Sequence, residues 1–176
     1  MKAYSILLTA ALASVAAPAA AGELFGGVYA HGVDTPLTLG GSPEGGVDFQ
    51  LGYRGGAIAR PFGRDLEPYV FGALNSRGDT SYAATGLSLK FGDRIYFRPG
   101  LGLAVHNGSA RNFSDPTNDR IEFGSRILFE PEVGLGARVS DRLTVEASLV
   151  HLSHATLFGK QNPGIDNVGV RLNWAL

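Results

Sequence analysis

The chain contains no cysteine, and its single methionine is the initiator. Without a thiol there can be no disulfide, no thiolate metal site and no cysteine nucleophile. An excess of either charge is missing too. Fifteen Lys and Arg face sixteen Asp and Glu, for a formal net charge of −1, so the basic surplus of a nucleic-acid-binding chain is absent and nucleic acid is excluded as an expected partner. Beyond the N-terminus there is no long apolar run, which excludes a bundle of membrane helices, since each span needs about 20 apolar residues. Mean hydropathy lies near zero, and that value is compatible with a membrane barrel whose strands alternate apolar and polar positions. Glycine is abundant, at 25 of 176 residues with 9 prolines, a composition unsuited to an ordinary helical protein. The length is that of one domain.

Residues 1–21 have a different character from the rest. Lys2 supplies a positive start, Ile6 to Val15 an apolar stretch, and Ala19-Ala20-Ala21 a run of small residues. This pattern predicts a secretory signal peptide cut after Ala21, leaving Gly22 first in an exported domain of residues 22–176. A short N-terminal anchor helix is the alternative, but the apolar stretch falls short of a membrane span. No cysteine follows the cut, so lipoprotein attachment is excluded.

After Gly22 the dominant feature is alternation. Over 141–153, Leu143, Val145, Ala147 and Leu149 share one face, while Thr144, Glu146 and Ser148 share the other. Over 166–176, Val168, Val170, Leu172 and Trp174 oppose Asn167, Gly169, Arg171 and Asn173. Segments 94–106 and 127–139 repeat the pattern, and further ones lie at 23–32, 45–54, 67–74 and 80–91, less regular in the first and third. A period of two over such lengths means strands, and these are near the roughly 9–11 residues that cross a bilayer when tilted. The linkers at 60–65, 92–93 and 140–141 are tight turns, while 33–44, 107–121 and 154–165 are long and rich in Gly, Pro, Asn and Asp. The expected fold is therefore all-β, an eight-stranded antiparallel transmembrane β-barrel with short turns at one end and long loops at the other.

The polar face carries Asp48, Gln50, Arg54, Arg98, Glu130, Glu132, Arg138, Glu146 and Arg171 among many glycines. Opposite charges among small residues suit a narrow lumen, where they can pair. A soluble barrel with the faces inverted is the alternative, although its wet surface would carry more Lys and Glu.

Three residues break the parity. His151 and Ser153 continue the face of Leu143 to Leu149, and Asp166 begins the face of Val168 to Trp174. That face should meet lipid, where polar groups are costly without a function. Residues two apart on a strand project from the same side, so His151 could act as base for a Ser153 nucleophile while Asp166 orients the imidazole. With both chain ends periplasmic, the site falls at the outer ends of the last two strands, where a lipid ester could arrive sideways from the membrane. The bland alternatives are interfacial polar residues at a strand end, and a metal held by His151 and His154 with His31 or His106. Asn162-Pro163-Gly164 reads most simply as a turn.

His-x-Ser, then a Gly/Asn/Pro-containing loop and an acid, at the C-terminal end of an exported barrel, resembles the lipid A 3-O-deacylase (PagL-type) family. The close match runs from Val150 to Val168. The resemblance implies a serine esterase that removes the 3-O-linked acyl chain of lipid A in the outer leaflet, with lipopolysaccharide as substrate and no cofactor or metal. It implies Ser153 as nucleophile, His151 as base, Asp166 as triad acid and Asn162 as a loop residue near the site. Two departures stand out. The family often has Glu where this chain has Asp166, and often Asn, assigned to the oxyanion hole, where this chain has His154. A neutral imidazole N–H can donate as an amide does, so His154 is carried as an oxyanion candidate. A homodimer is left open, and a small non-catalytic barrel with adhesive or envelope-stabilising loops is the rival function.

Overall fold

The structure, a computed structural model, describes residues 22–38, 42–111, 118–157 and 162–176. The signal-peptide segment, residues 1–21, lies outside the described residues.

Eight strands follow in chain order: β1 Glu23–Ala30, β2 Val47–Arg54, β3 Leu66–Asn75, β4 Tyr82–Leu89, β5 Ile95–His106, β6 Ile127–Arg138, β7 Leu143–Leu152 and β8 Ile165–Ala175. Each pairs antiparallel with its sequence neighbours, and β1 pairs with β8 to close the barrel. Closure satisfies every strand's backbone groups from within the chain and leaves no open edge, a requirement for sheet inside lipid. All eight expected strands are present, with shifted ends. The β2–β3 link is longer than the tight turn expected over 60–65. It contains a short 3-10 turn at Pro61–Gly63 and is tied down by Gly55 N–H to the Pro68 carbonyl and Ile58 N–H to the Leu66 carbonyl, at 2.8 and 2.9 Å.

The two faces divide as the alternation predicts. Leu51, Val70, Leu101, Leu103, Leu135, Val170 and Leu172 are exposed on the outer wall, with Leu51 at 72%. Ala147 is exposed and Leu149 half-buried, whereas Glu146 and Ser148 are buried. A continuous apolar wall around a charged interior is the reverse of a water-soluble barrel, and it matches a bilayer as solvent.

Inside, Arg54, Arg98 and Arg171 are at most 2% exposed. Arg171 meets Glu132 at 2.8 Å and Glu146 at 3.3 Å. Arg98 meets Glu146 at 3.2 Å and Glu23 at 2.8 Å, and Arg54 pairs with Glu23 and Glu132. Glycines leave room for these long side chains: a β-carbon at Gly134 would sit 2.5 Å from the Glu146 carboxyl carbon. Arg138, expected in the lumen with the other charges, is exposed at the end of β6, where the barrel mouth opens to water.

The irregular alternation of β1 and β3 has a structural cause. Phe25, Tyr29, Tyr69 and Phe71 point inward and are buried, filling the lumen rather than joining the apolar wall. The Arg171 guanidinium lies 4.6 Å from the Phe25 ring centre, a cation–π contact that partly offsets the cost of burying the charge. Among the described residues, these inward side chains form a packed core.

At the long-loop end, Glu44 gathers three segments. Its carboxylate accepts from the Thr80 N–H at 3.0 Å and the Ile121 N–H at 3.1 Å, and lies 3.4 Å from His31 Nε2. His31 Nδ1 is 2.9 Å from Asp48. This polar knot draws the loops across the outer end of the lumen.

Candidate active site

β7 and β8 run side by side with His151 and Asp166 as direct cross-strand partners. Residues directly opposite on one face have their β-carbons about 5 Å apart, close enough for an imidazole to meet a short carboxylate. His151 Nδ1 and Asp166 Oδ1 are 2.5 Å apart. With Nδ1–H donating to the carboxylate, the neutral ring keeps its lone pair on Nε2, the tautomer a general base requires.

Ser153 lies one step past the end of β7. Its backbone continues the pairing with β6, its N–H donating to the Phe129 carbonyl at 3.2 Å and its carbonyl accepting from the Phe129 N–H at 2.7 Å. The register sets it opposite Phe129, among the outward positions of β6. Ser153 and His151 thus share the outer side of one strand. No hydrogen bond joins the Ser153 hydroxyl to His151, and in substrate-free sites the nucleophile–base contact is often long.

The sequence places this group on the lipid-facing wall, and the structure adds a cover. Asp166 is wholly buried and Ser153 is 6% exposed, although both occupy outward positions. The cover for Asp166 is the start of the β1–β2 loop. Thr35 and Thr38 both donate their hydroxyls to Asp166 Oδ2. Val33 N–H donates to the Asp166 carbonyl at 2.8 Å, and Gly32 N–H to Asn167 Oδ1 at 3.2 Å. Strand parity carries no signal for Thr35 or Thr38, because a loop has no period.

Gly164 is a second residue that pattern reading misses. A β-carbon there would sit 2.7 Å from His151 Cε1 and 3.4 Å from Nε2. The glycine of the Asn162-Pro163-Gly164 turn is therefore also the floor against which the imidazole lies.

The other expected residues fall as follows. Asn162 Oδ1 accepts the His154 backbone N–H at 3.1 Å, tying the two ends of the β7–β8 loop together. The His154 side chain is fully buried. After it come Ala155 and Thr156, with φ of 52° and 60°, closed by Leu157 N–H to the His154 carbonyl at 3.0 Å. Two successive non-glycine residues in the left-handed region cost on the order of 1–2 kcal/mol each, and such strain concentrates at functional sites. The histidines considered for a metal do not converge. His31 is engaged by Asp48 and Glu44, and His106 Nε2 by the Ser125 carbonyl at 2.8 Å. Among the described residues no three His, Asp or Glu side chains form a metal-binding group.

The family model for lipid A 3-O-deacylase (PagL) matches residues 68–175, over half the chain. The fold is similar to the crystal structure of the outer membrane enzyme PagL, with a TM-score of 0.64 and 17% identity over 88% of this chain and 99% of that one. It is also similar to the crystal structure of Neisserial surface protein A, with a TM-score of 0.51 and 10% identity over 88% of this chain and 97% of that one. At these identities the structural likenesses speak for the barrel alone. No curated protein matches the chain. The family match spans β3 to β8 and contains the His151–Asp166 pair, and on that match the chain belongs to the lipid A 3-O-deacylase (PagL) family of outer-membrane enzymes.

Proposed function

We propose that Ser153, His151 and Asp166 carry out the deacylation, cleaving the 3-O-linked acyl ester of lipid A from the outer leaflet. The observation that carries this reading is the 2.5 Å His151–Asp166 pair on the outer side of the barrel, with a serine two residues further along, just past the end of β7. A half-buried, carboxylate-paired imidazole on the outside of a membrane barrel has no role in closing the barrel. It is where an acyl chain lying in the membrane can bring its ester.

The Ser153 hydroxyl attacks the ester carbonyl as His151 Nε2 takes its proton. Asp166 holds the ring and stabilises the imidazolium. The tetrahedral intermediate collapses, the imidazolium returns the proton to the departing sugar 3-hydroxyl, and the acyl group stays on Ser153. Water, activated by the same imidazole, then releases the 3-hydroxy fatty acid and restores the serine. The transient oxyanion needs donors, and the Ala155–Thr156 turn supplies them. The backbone N–H groups of these two residues have no partner among the described residues, whereas the His154 N–H is already committed to Asn162. In this reading His154 and Asn162 shape the turn, and backbone N–H groups meet the charge.

Residues 1–21 act as the export signal, removed after Ala21, and the mature barrel inserts with its long loops outside. Mass spectrometry of lipid A from cells producing the protein tests the function. Loss of one 3-hydroxyacyl group is expected with the parent and not with Ser153→Ala, both proteins showing the heat-dependent gel shift of a folded barrel. A Ser153→Ala variant that still removes the acyl group overturns the serine mechanism.

A further inference from the structure

We propose that Thr35 and Thr38, on the loop between β1 and β2, are positioning residues that hold Asp166 for catalysis. The inference rests on the serine mechanism above and adds to it a part contributed from outside the matched family region, which begins at residue 68.

A carboxylate has two oxygens to satisfy. Asp166 Oδ1 is occupied by His151, at 2.5 Å. Oδ2 receives two hydroxyl donors, Thr35 and Thr38. The Asp166 side chain is fully buried, so no bulk water could replace them, and an unsatisfied buried oxygen is costly. With both donors in place the carboxylate plane is set, and Oδ1 can face only the imidazole.

The Thr35 donor is itself oriented. Leu37 N–H donates to Thr35 Oγ1 at 3.0 Å, and Thr38 N–H donates to the Thr35 carbonyl at 3.2 Å. With a lone pair of Oγ1 engaged by Leu37, the hydroxyl proton is directed to Asp166. Val33 N–H and Gly32 N–H fix the start of the same loop on β8, through the Asp166 carbonyl and the Asn167 side chain. Residue 35 meets residue 166 only because β1 pairs with β8 at barrel closure. The loop lies over that seam and completes the triad's acid from above.

The test uses purified full-length barrel in detergent, with lipid A in mixed micelles as substrate. Thr→Val keeps the shape and removes the hydroxyl, whereas Thr→Ser keeps the hydroxyl and removes a methyl group. Thr35→Val and Thr38→Val should each lower kcat roughly tenfold, and the pair roughly a hundredfold, as expected for lost hydrogen bonds to a charged group. KM should stay near the parent value, because neither residue touches substrate. Thr35→Ser and Thr38→Ser should restore most of kcat. Parental kcat in the valine variants overturns the proposal, and so does a serine variant as impaired as its valine counterpart. If a valine variant lacks the heat-dependent gel shift, the serine variants decide alone: near-parental kcat supports the role and a valine-like loss refutes it. Ser153→Ala assayed alongside separates the two readings. Full activity there removes the serine mechanism itself, whereas an inactive Ser153→Ala beside unimpaired valine variants removes only the threonine role.

Discussion

The barrel buries charge in the lumen and on the outer wall at the β7–β8–β1 seam, and it does so by different means. In the lumen three arginines share four glutamates through bonds that overlap: Glu132 is reached by Arg54 and Arg171, Glu146 by Arg98 and Arg171, and Glu23 by Arg54 and Arg98, while Glu67 lies 3.8 Å from Arg98. Each of the first three glutamates has a second partner if one arginine shifts. At the seam His151 has one carboxylate, and Asp166 has one imidazole and two hydroxyls. Redundant bonding tolerates local motion and holds a fold together. Bonding without spares holds one geometry, which is what a reaction needs. Stability should therefore respond to changes in the lumen, and turnover to changes at the seam.

Arg171→Ala should show the largest effect and break the comparison if it fails. It removes the ion pairs to Glu132 and Glu146, the hydrogen bonds from Nε to Tyr29 and Gln50, both at 3.0 Å, and the contact with Phe25. A buried pair broken from one side costs about 3–5 kcal/mol, read as a lower unfolding midpoint in urea with detergent present. The deacylation rate of the folded fraction should stay near that of the parent. An equal fall in both would mean that lumen and seam are one mechanical unit.

Gly164→Ala should do the opposite. Its backbone φ lies outside the left-handed region, so alanine is permitted there, and the unfolding midpoint should hardly move. The new methyl group meets His151 Cε1, and the ring, held on its other side by Asp166, must tilt. Displacement of a catalytic group by about 1 Å can cost up to about 10²-fold, and a fall in kcat of roughly 10- to 100-fold is expected in the micelle assay. An unchanged kcat would show that the imidazole has room to spare.

The smallest effect sharpens the comparison at the loop end. Burial favours the neutral form of His31, but hydrogen bonds and charge from Asp48 and Glu44 outweigh it and hold its pKa up at about 9. Burial likewise pushes Glu44 up, and hydrogen bonds from His31, Thr80 and Ile121 overcome this and leave it lowered. A group raised in the folded state stabilises fully below its ordinary value of 6.5 and loses that contribution as pH rises through about 9. The Tm in detergent should therefore fall between pH 7 and pH 10, and His31→Gln should flatten that slope. An identical slope in the variant would remove His31 from the account.

Much of the fold is legible in the sequence. The long strands β5 to β8 alternate over most of their length, because lipid outside and a narrow polar lumen inside impose opposite demands on successive residues. The first and third strands were harder to read. Phe25, Tyr29, Tyr69 and Phe71 are aromatic yet face inward, so hydrophobicity no longer reports the side on which a residue lies. The triad candidates were visible as polar residues at positions where parity calls for apolar ones. Gly164 looked like turn chemistry alone, and Thr35 and Thr38 looked like nothing at all.

What the amino-acid sequence determined by itself is the alternation, and with it eight strands, their inward and outward faces, and the placing of His151 and Ser153 on one side of the chain at the end of β7. These follow from local geometry, since side chains two apart always share a face. The tertiary structure alone decided what meets across the sheet and over it: the register that sets Asp166 opposite His151, the loop that lays Thr35 and Thr38 on Asp166, and the approach of Gly164 to the imidazole. The register needs β7 and β8 to pair and the approach of Gly164 depends on a turn without a period, while the threonine contacts join residues more than a hundred positions apart and exist only once β1 has closed onto β8.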